Sequence, residues 1–174
     1  MNDGPQMSLF EIPQNNQKKT TLSGSLYKVC VDGASRNNPG KSGAGVAIYK
    51  NDQLLETHGF YLGIKTNNQA EYGALLLGLF IVKKYLTPHD RLLIVSDSQL
   101  LVRQLQGVYQ IKHVDLKPLY IVAQHLLQGL SYKVMHVLRE HNEVADQMAN
   151  EGIDRKELMP PEFIKLLSQH SINW

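Results

Sequence analysis

Four acids in the 174-residue chain occupy positions where apolar residues are the rule, and their types suit divalent-metal chemistry. Asp32 closes the strand-like run LYKVCVDG, and Asp97 follows the apolar run RLLIVS. Glu71 is expected in the first turn of a long helix, and Asp146 in the first turn or so of the last one. Acids at core-facing element ends need a reason to be there. Element ends are also where side chains from distant parts of a chain converge. Four convergent carboxylates cannot all stay ionised without a counter-ion. Oxygen-only ligand sets take hard cations, Mg²⁺ above all. Taken singly, each acid has an ordinary explanation. Glu71 could complement a helix dipole, Asp32 and Asp97 could be turn formers before Gly33 and Ser98, and Asp146 could be a solvated helix acid.

The surrounding elements decide whether the four can meet. Three strands are read first: LYKVCVDG from Leu26, then GVAIYK and LLETHGFYLG, the last two joined by a tight turn at Asn51-Asp52. Hairpin-length connections make them an antiparallel meander. GASRNNPGKSG, from Gly33 to Gly43, is crowded with turn formers and is expected to be a loop. Ala70, Ala74, Leu77, Ile81 and Tyr85 then recur at helical spacing, predicting a helix from Asn68 to Leu86 that Thr87-Pro88 terminates. RLLIVS is a compact buried strand. Helices are expected over Leu100–Gln106 and Leu116–Leu127, a fifth strand at SYKVMHVL, and a final helix over Asn142–Asp154. The order β-β-β-α-β-α-α-β-α implies an α/β fold with a five-stranded mixed sheet, three antiparallel strands then two parallel, flanked by helices.

Composition narrows the class. One cysteine, Cys30, excludes a disulfide framework or a cysteine-rich zinc site. The longest apolar run, GALLLGLFIV, has ten residues and is too short to span a bilayer. The N-terminal segment lacks the basic flank and apolar stretch of a secretory signal. Eighteen Lys and Arg against 16 Asp and Glu leave a net charge of +2, too little to hold nucleic acid by bulk charge alone. A cytoplasmic monomer with no membrane association is expected.

Four motifs occur in order on this frame: DGASRNNPG from Asp32, TNNQAEYGAL from Thr66, SDS from Ser96 and REHNEVADQMAN from Arg139. Together they resemble type I ribonuclease H, in its compact bacterial and archaeal form lacking the basic protrusion, over about residues 26–155. The resemblance implies an endonuclease that cuts the RNA strand of RNA–DNA hybrids with two Mg²⁺ ions, Mn²⁺ being a possible substitute. Products would carry 5′-phosphate and 3′-hydroxyl ends. It places Asp32 between the two ions, Glu71 and Asp97 with the ion on the leaving-group side, and Asp146 with the ion carrying the attacking water. It further implies substrate contacts from Gly33, Ser35, Asn37 and Asn38 in the first loop, and from Asn67, Asn68 and Glu71 at the helix start, with Thr66 gripping a DNA-strand phosphate. His141, directly before Asn142, either assists the water or product release, or is a surface histidine at a helix start.

Two flanking segments complete the division of the chain. Residues 1–24 read as a flexible tail. Within it Gln6, Leu9 and Phe10 resemble the bacterial sliding-clamp-binding peptide, with Leu9 and Phe10 as apolar anchors. Residues 25–156 form the expected catalytic domain, and 157–174 an amphipathic extension packed on it. Two alternatives stay open: a ribonuclease H-like binding module with weak or no catalysis, and a nuclease that also acts on double-stranded RNA.

Overall fold

The computed structural model describes residues 24–174, so Gln6, Leu9 and Phe10 lie outside the described residues. Five strands form one sheet in the order β3-β2-β1-β4-β5. The strands are β1 (Leu26–Arg36), β2 (Gly40–Lys50), β3 (Gln53–Lys65), β4 (Arg91–Ser96) and β5 (Ser131–His136). The first three pair antiparallel, while β4 pairs parallel to both β1 and β5. The helices are α1 (Asn67–Val82), α2 (Gln99–Leu105), α3 (Lys117–Leu127), α4 (Glu143–Arg155) and α5 (Pro161–Gln169). The expected mixed sheet and element order are present. A 3₁₀ turn at Arg139–His141 and the nine-residue helix α5 add to them.

Side-chain alternation along β1 sorts the two faces of the sheet. Val29 and Val31 face a core built with Leu75, Leu76 and Leu77 of α1, Val122 of α3, and Phe163 and Leu167 of α5. Cys30 turns the other way and meets Ala47, Val95 and Ala145 of α4. Each fully buried aliphatic side chain in such a core contributes about 1.5–3 kcal/mol. Helix α1 is enclosed nearly all round rather than along one stripe: Tyr72 through Leu79 are all buried. A capping box starts it, with Thr66 Oγ1 accepting from Gln69 N–H and the Gln69 side chain accepting from Thr66 N–H. Such a cap is worth about 1 kcal/mol.

Four expectations need correcting. The segment from Gly33 to Gly43 is not a loop: β1 and β2 stay paired through Gly33↔Ala44, Ala34↔Gly43, Ser35↔Ser42 and Arg36↔Lys41. Small residues on both strands let the hairpin run on, so only residues 37–39 connect them. Asp32 therefore sits inside β1, opposite Gly45, rather than at its end. Helix α1 stops at Val82, four residues early, because Lys84 and Tyr85 N–H groups tighten back onto the Ile81 and Val82 carbonyls. That turn brings Lys84 onto Glu56 and stacks Tyr85 on Tyr27. Glu71 is the fifth residue of α1, in its second turn rather than its first.

Candidate active site

Register alone brings Asp32 and Asp97 together. The last parallel pair of β1 and β4 is Cys30↔Val95, and each acid lies two residues beyond it. The chains diverge there, and both carboxylates emerge where the pairing opens. Glu71 reaches the same place from α1. Gly33 makes this possible: a Cβ on it would meet Glu71 N at 2.1 Å, so only glycine lets the helix come so close to the strand. The Gly33 N–H also donates to Glu71 Oε2 at 3.3 Å. One ligand oxygen from each of Asp32, Glu71 and Asp97 lies within 4.8 Å of the other two.

Electrostatics reports how crowded this group is. Burial, then the charges of Asp97 and Asp146, push the Asp32 carboxyl up to about 7. Burial, then Asp32 and Asp97, hold Glu71 well above the ordinary carboxylate range, with the Gly33 N–H and Arg139 opposing. Two acids that resist ionisation side by side would be relieved by a bound cation. The donor set is entirely carboxylate oxygen, which fits a hard divalent ion.

Asp146 stands apart from this group. It lies in the first turn of α4, and its Oδ1 accepts from Arg139 Nε at 3.1 Å and from Arg139 Nη2. Asn142, buried at the start of α4, donates from Nδ2 to the Val31 carbonyl at 2.9 Å and to Asp97 Oδ1 at 3.1 Å. It pins the Asp97 carboxylate to β1. The sequence alone assigns no role to Arg139 or to this Asn142 contact. Their only signal was position: a cation and an amide directly before the helix that carries the last acid. His141 is exposed, with Nε2 3.7 Å from Glu140 Oε1.

The carboxylates open into a cleft of about 430 Å³ that also includes Gly33, Ser35, Asn67 and Arg139. Asn38 and Thr66 flank it: Asn38 Oδ1 accepts from Asn67 N–H at 3.0 Å, and Thr66 caps α1. Ser35 Oγ donates to the Lys65 carbonyl at 2.9 Å. Asn37, Asn38, Asn67 and Asn68 are exposed, and Asn37 has a left-handed φ of 75°. The cleft floor is acidic and its rim carries neutral amides and hydroxyls.

A mixed sheet in this order, with acids at the mouth of its central strands, defines a ribonuclease H-like fold. The family model described as reverse transcriptase-like matches residues 30–152. The chain is 38% identical over 133 residues to ribonuclease HI of Halobacterium salinarum, covering 75% of this chain and 66% of that one. A crystal structure of RNase H1 from the same organism superposes with a TM-score of 0.71 at 35% identity, covering 75% of this chain and 98% of that one. A bifunctional protein of Mycobacterium tuberculosis is 37% identical over 129 residues, 71% of this chain, which spans 34% of that relative's length. The metagenomic LC11-RNase H1, solved in complex with an RNA/DNA hybrid, superposes with a TM-score of 0.70 at 34% identity over 74% of this chain and 97% of that one. The chain belongs to the type I ribonuclease H family.

Proposed function

We propose that the protein is an endonuclease that hydrolyses the RNA strand of RNA–DNA hybrids, using two Mg²⁺ ions and leaving 5′-phosphate and 3′-hydroxyl ends. The observation that carries this reading is the triad of Asp32, Glu71 and Asp97, whose ligand oxygens approach within 4.8 Å in a fold whose relatives are ribonucleases H. Asp32, Glu71 and Asp97 would hold one ion, and Asp32 with Asp146 the other. Bound divalent ions acidify water and neutralise charge on a departing oxygen, the two requirements of phosphodiester hydrolysis. The chain's own residues do the rest. Asn142 keeps Asp97 oriented, the Gly33 N–H keeps Glu71 oriented, and Arg139 balances charge at Asp146. The rim amides of Asn38, Asn67 and Asn68, with Ser35, Asn37 and the Gly33 main chain, are suited to reading a 2′-hydroxyl, the group that separates RNA from DNA.

Labelled hybrid, duplex RNA and duplex DNA, assayed side by side with Mg²⁺ and Mn²⁺, test the reading. Cleavage confined to the RNA of the hybrid is expected. Equal cleavage of duplex RNA would favour the broader nuclease. No cleavage of any substrate would favour the binding module. His141 is assigned at most an accessory part, so His141→Ala should cost far less rate than Asp146→Asn. The Gln6–Phe10 peptide is proposed as a tether to a sliding clamp, raising effective concentration at the substrate. A clamp pull-down that survives Leu9→Ala with Phe10→Ala would contradict that role.

A further inference from the structure

Lys65 ends β3, and its main chain is held from two sides: its carbonyl accepts from Ser35 Oγ at 2.9 Å and from Ser42 Oγ at 3.1 Å. Its side chain is held by a third element. The Nζ lies 4.9 Å from the centre of the Trp174 ring. The indole itself is wedged onto α1, since a Cβ on Gly73 would come within 2.7 Å of it, and the same Cβ would meet Leu62 of β3 at 2.9 Å. A cation over an aromatic face is attracted by the ring's quadrupole, more strongly when desolvated.

The ammonium so held has no carboxylate within 4 Å among the described residues, whereas Lys28, Arg36, Lys84, Arg139 and Arg155 each do. It is half-buried, and burial lowers its pKa. A partly desolvated cation without a counter-charge gains most when an anion is brought to it. The residues around it line the cleft: Asn67, two positions on and bonded to Asn38, and Ser35, whose hydroxyl holds the Lys65 carbonyl. An aromatic ring placed far along the chain thus holds the unpaired cation of a residue whose main chain is bonded to the cleft-lining Ser35.

We infer that Lys65 binds a backbone phosphate of the nucleic-acid duplex, and that Trp174 is a positioning residue that aims Lys65 at it. The inference rests on the proposed hybrid nuclease reading and adds to it a contact the sequence motifs did not mark. A phosphate contact of this kind supplies affinity and register rather than base recognition.

The test measures binding of a short labelled hybrid to the full chain in an Asp97→Asn background, across about 50–200 mM salt, where phosphate contacts dominate the salt dependence. Lys65→Ala should raise Kd roughly fivefold at low salt and lower the salt slope by about 0.7–0.9, the loss of one phosphate contact. Lys65→Arg should keep the slope. Lys83→Ala, removing an exposed lysine at the far end of α1, should leave it unchanged. With Asp97 intact, Lys65→Ala should raise KM while kcat stays within about twofold. Trp174→Ala should move Kd and slope in the same direction, and Trp174→Phe should restore them. A Trp174→Ala variant with lowered Tm but unchanged Kd and slope would show that the ring is structural only. An unchanged Kd and slope in Lys65→Ala, with hybrid cleavage intact in the unaltered chain, overturns the contact alone. Binding without cleavage by the unaltered chain would instead overturn the nuclease reading while leaving the Lys65 contact measurable.

Discussion

Arg139 lies against a single oxygen of Asp146, donating to Oδ1 from Nε at 3.1 Å and also from Nη2. The guanidinium's charge is felt at Asp32 and Glu71 as well, where it opposes their raised pKa values. In the metal-free protein it therefore performs part of the neutralisation that ions would complete. Arg139→Ala should destabilise the metal-free chain by no more than about 1 kcal/mol, the pair being exposed. The same variant should require less Mg²⁺ for half-maximal stabilisation in a thermal-shift titration, because Asp146 no longer has to be released by the arginine. Arg139→Lys should not restore the original midpoint, since an ammonium lacks the planar fork. An unchanged midpoint in Arg139→Ala would show that the arginine does not compete for Asp146.

Asp32 and Glu71 both have raised pKa values, which makes the sign of the pH dependence definite. A carboxyl whose folded pKa exceeds its unfolded value binds protons more readily in the native state, so stability falls as pH rises between the two values. For Asp32 that window runs from 3.8 to about 7. Without divalent ions, Tm should therefore decline from about pH 4 to pH 7 on account of these groups. Asp32→Asn should flatten the decline and raise Tm at neutral pH. Adding Mg²⁺ should restore Tm in the unaltered chain and not in the variant. A metal-free Asp32→Asn protein less stable at pH 7 than the unaltered one would refute this account.

Asn142 spans the opening between β1 and β4, with one Nδ2 shared by the Val31 carbonyl and Asp97. Asn142→Ala would leave a buried carbonyl without its donor, a cost of about 1–3 kcal/mol. It would also free Asp97 to rotate. Denaturant unfolding should show that loss, and hybrid turnover should fall roughly ten- to a hundredfold, as expected when a group in a reactive site is misplaced by about 1 Å. Asn142→Asp preserves size but sets a further carboxyl against Asp97, and should be the less stable of the two at neutral pH.

Much of this site is legible in the amino-acid sequence. The strand pattern of LYKVCVDG and RLLIVS, with an acid at the same offset in each, already placed Asp32 and Asp97 alike, and parallel pairing did the rest. Glu71 was found by helical spacing, although the helix begins one residue earlier and ends four residues earlier than the apolar pattern suggests. That end is set by tertiary contacts of Lys84 and Tyr85, which no local pattern encodes. The extended β1–β2 hairpin was hidden because Gly33, Ser35 and Gly43 serve equally in turns and in tightly packed strands. Arg139 and Asp146 are seven residues apart, but a 3₁₀ turn and the start of α4 intervene, so no single helical period relates them. Trp174 on Lys65 is a contact between distant segments, visible only once α1 and β3 are in place.

On the proposed function, cleavage of RNA in a hybrid depends on metal held by Asp32, Glu71 and Asp97. Mg²⁺-dependent cleavage of a labelled RNA–DNA hybrid should be measured for the unaltered chain and for Asp97→Asn, with circular dichroism confirming that both are folded. The expected result is RNA-strand cleavage by the unaltered chain and a loss of at least about a thousandfold in the variant, on the scale of removing a group made essential by transition-state charge. A folded Asp97→Asn protein that cleaves the hybrid at the original rate would contradict the claim.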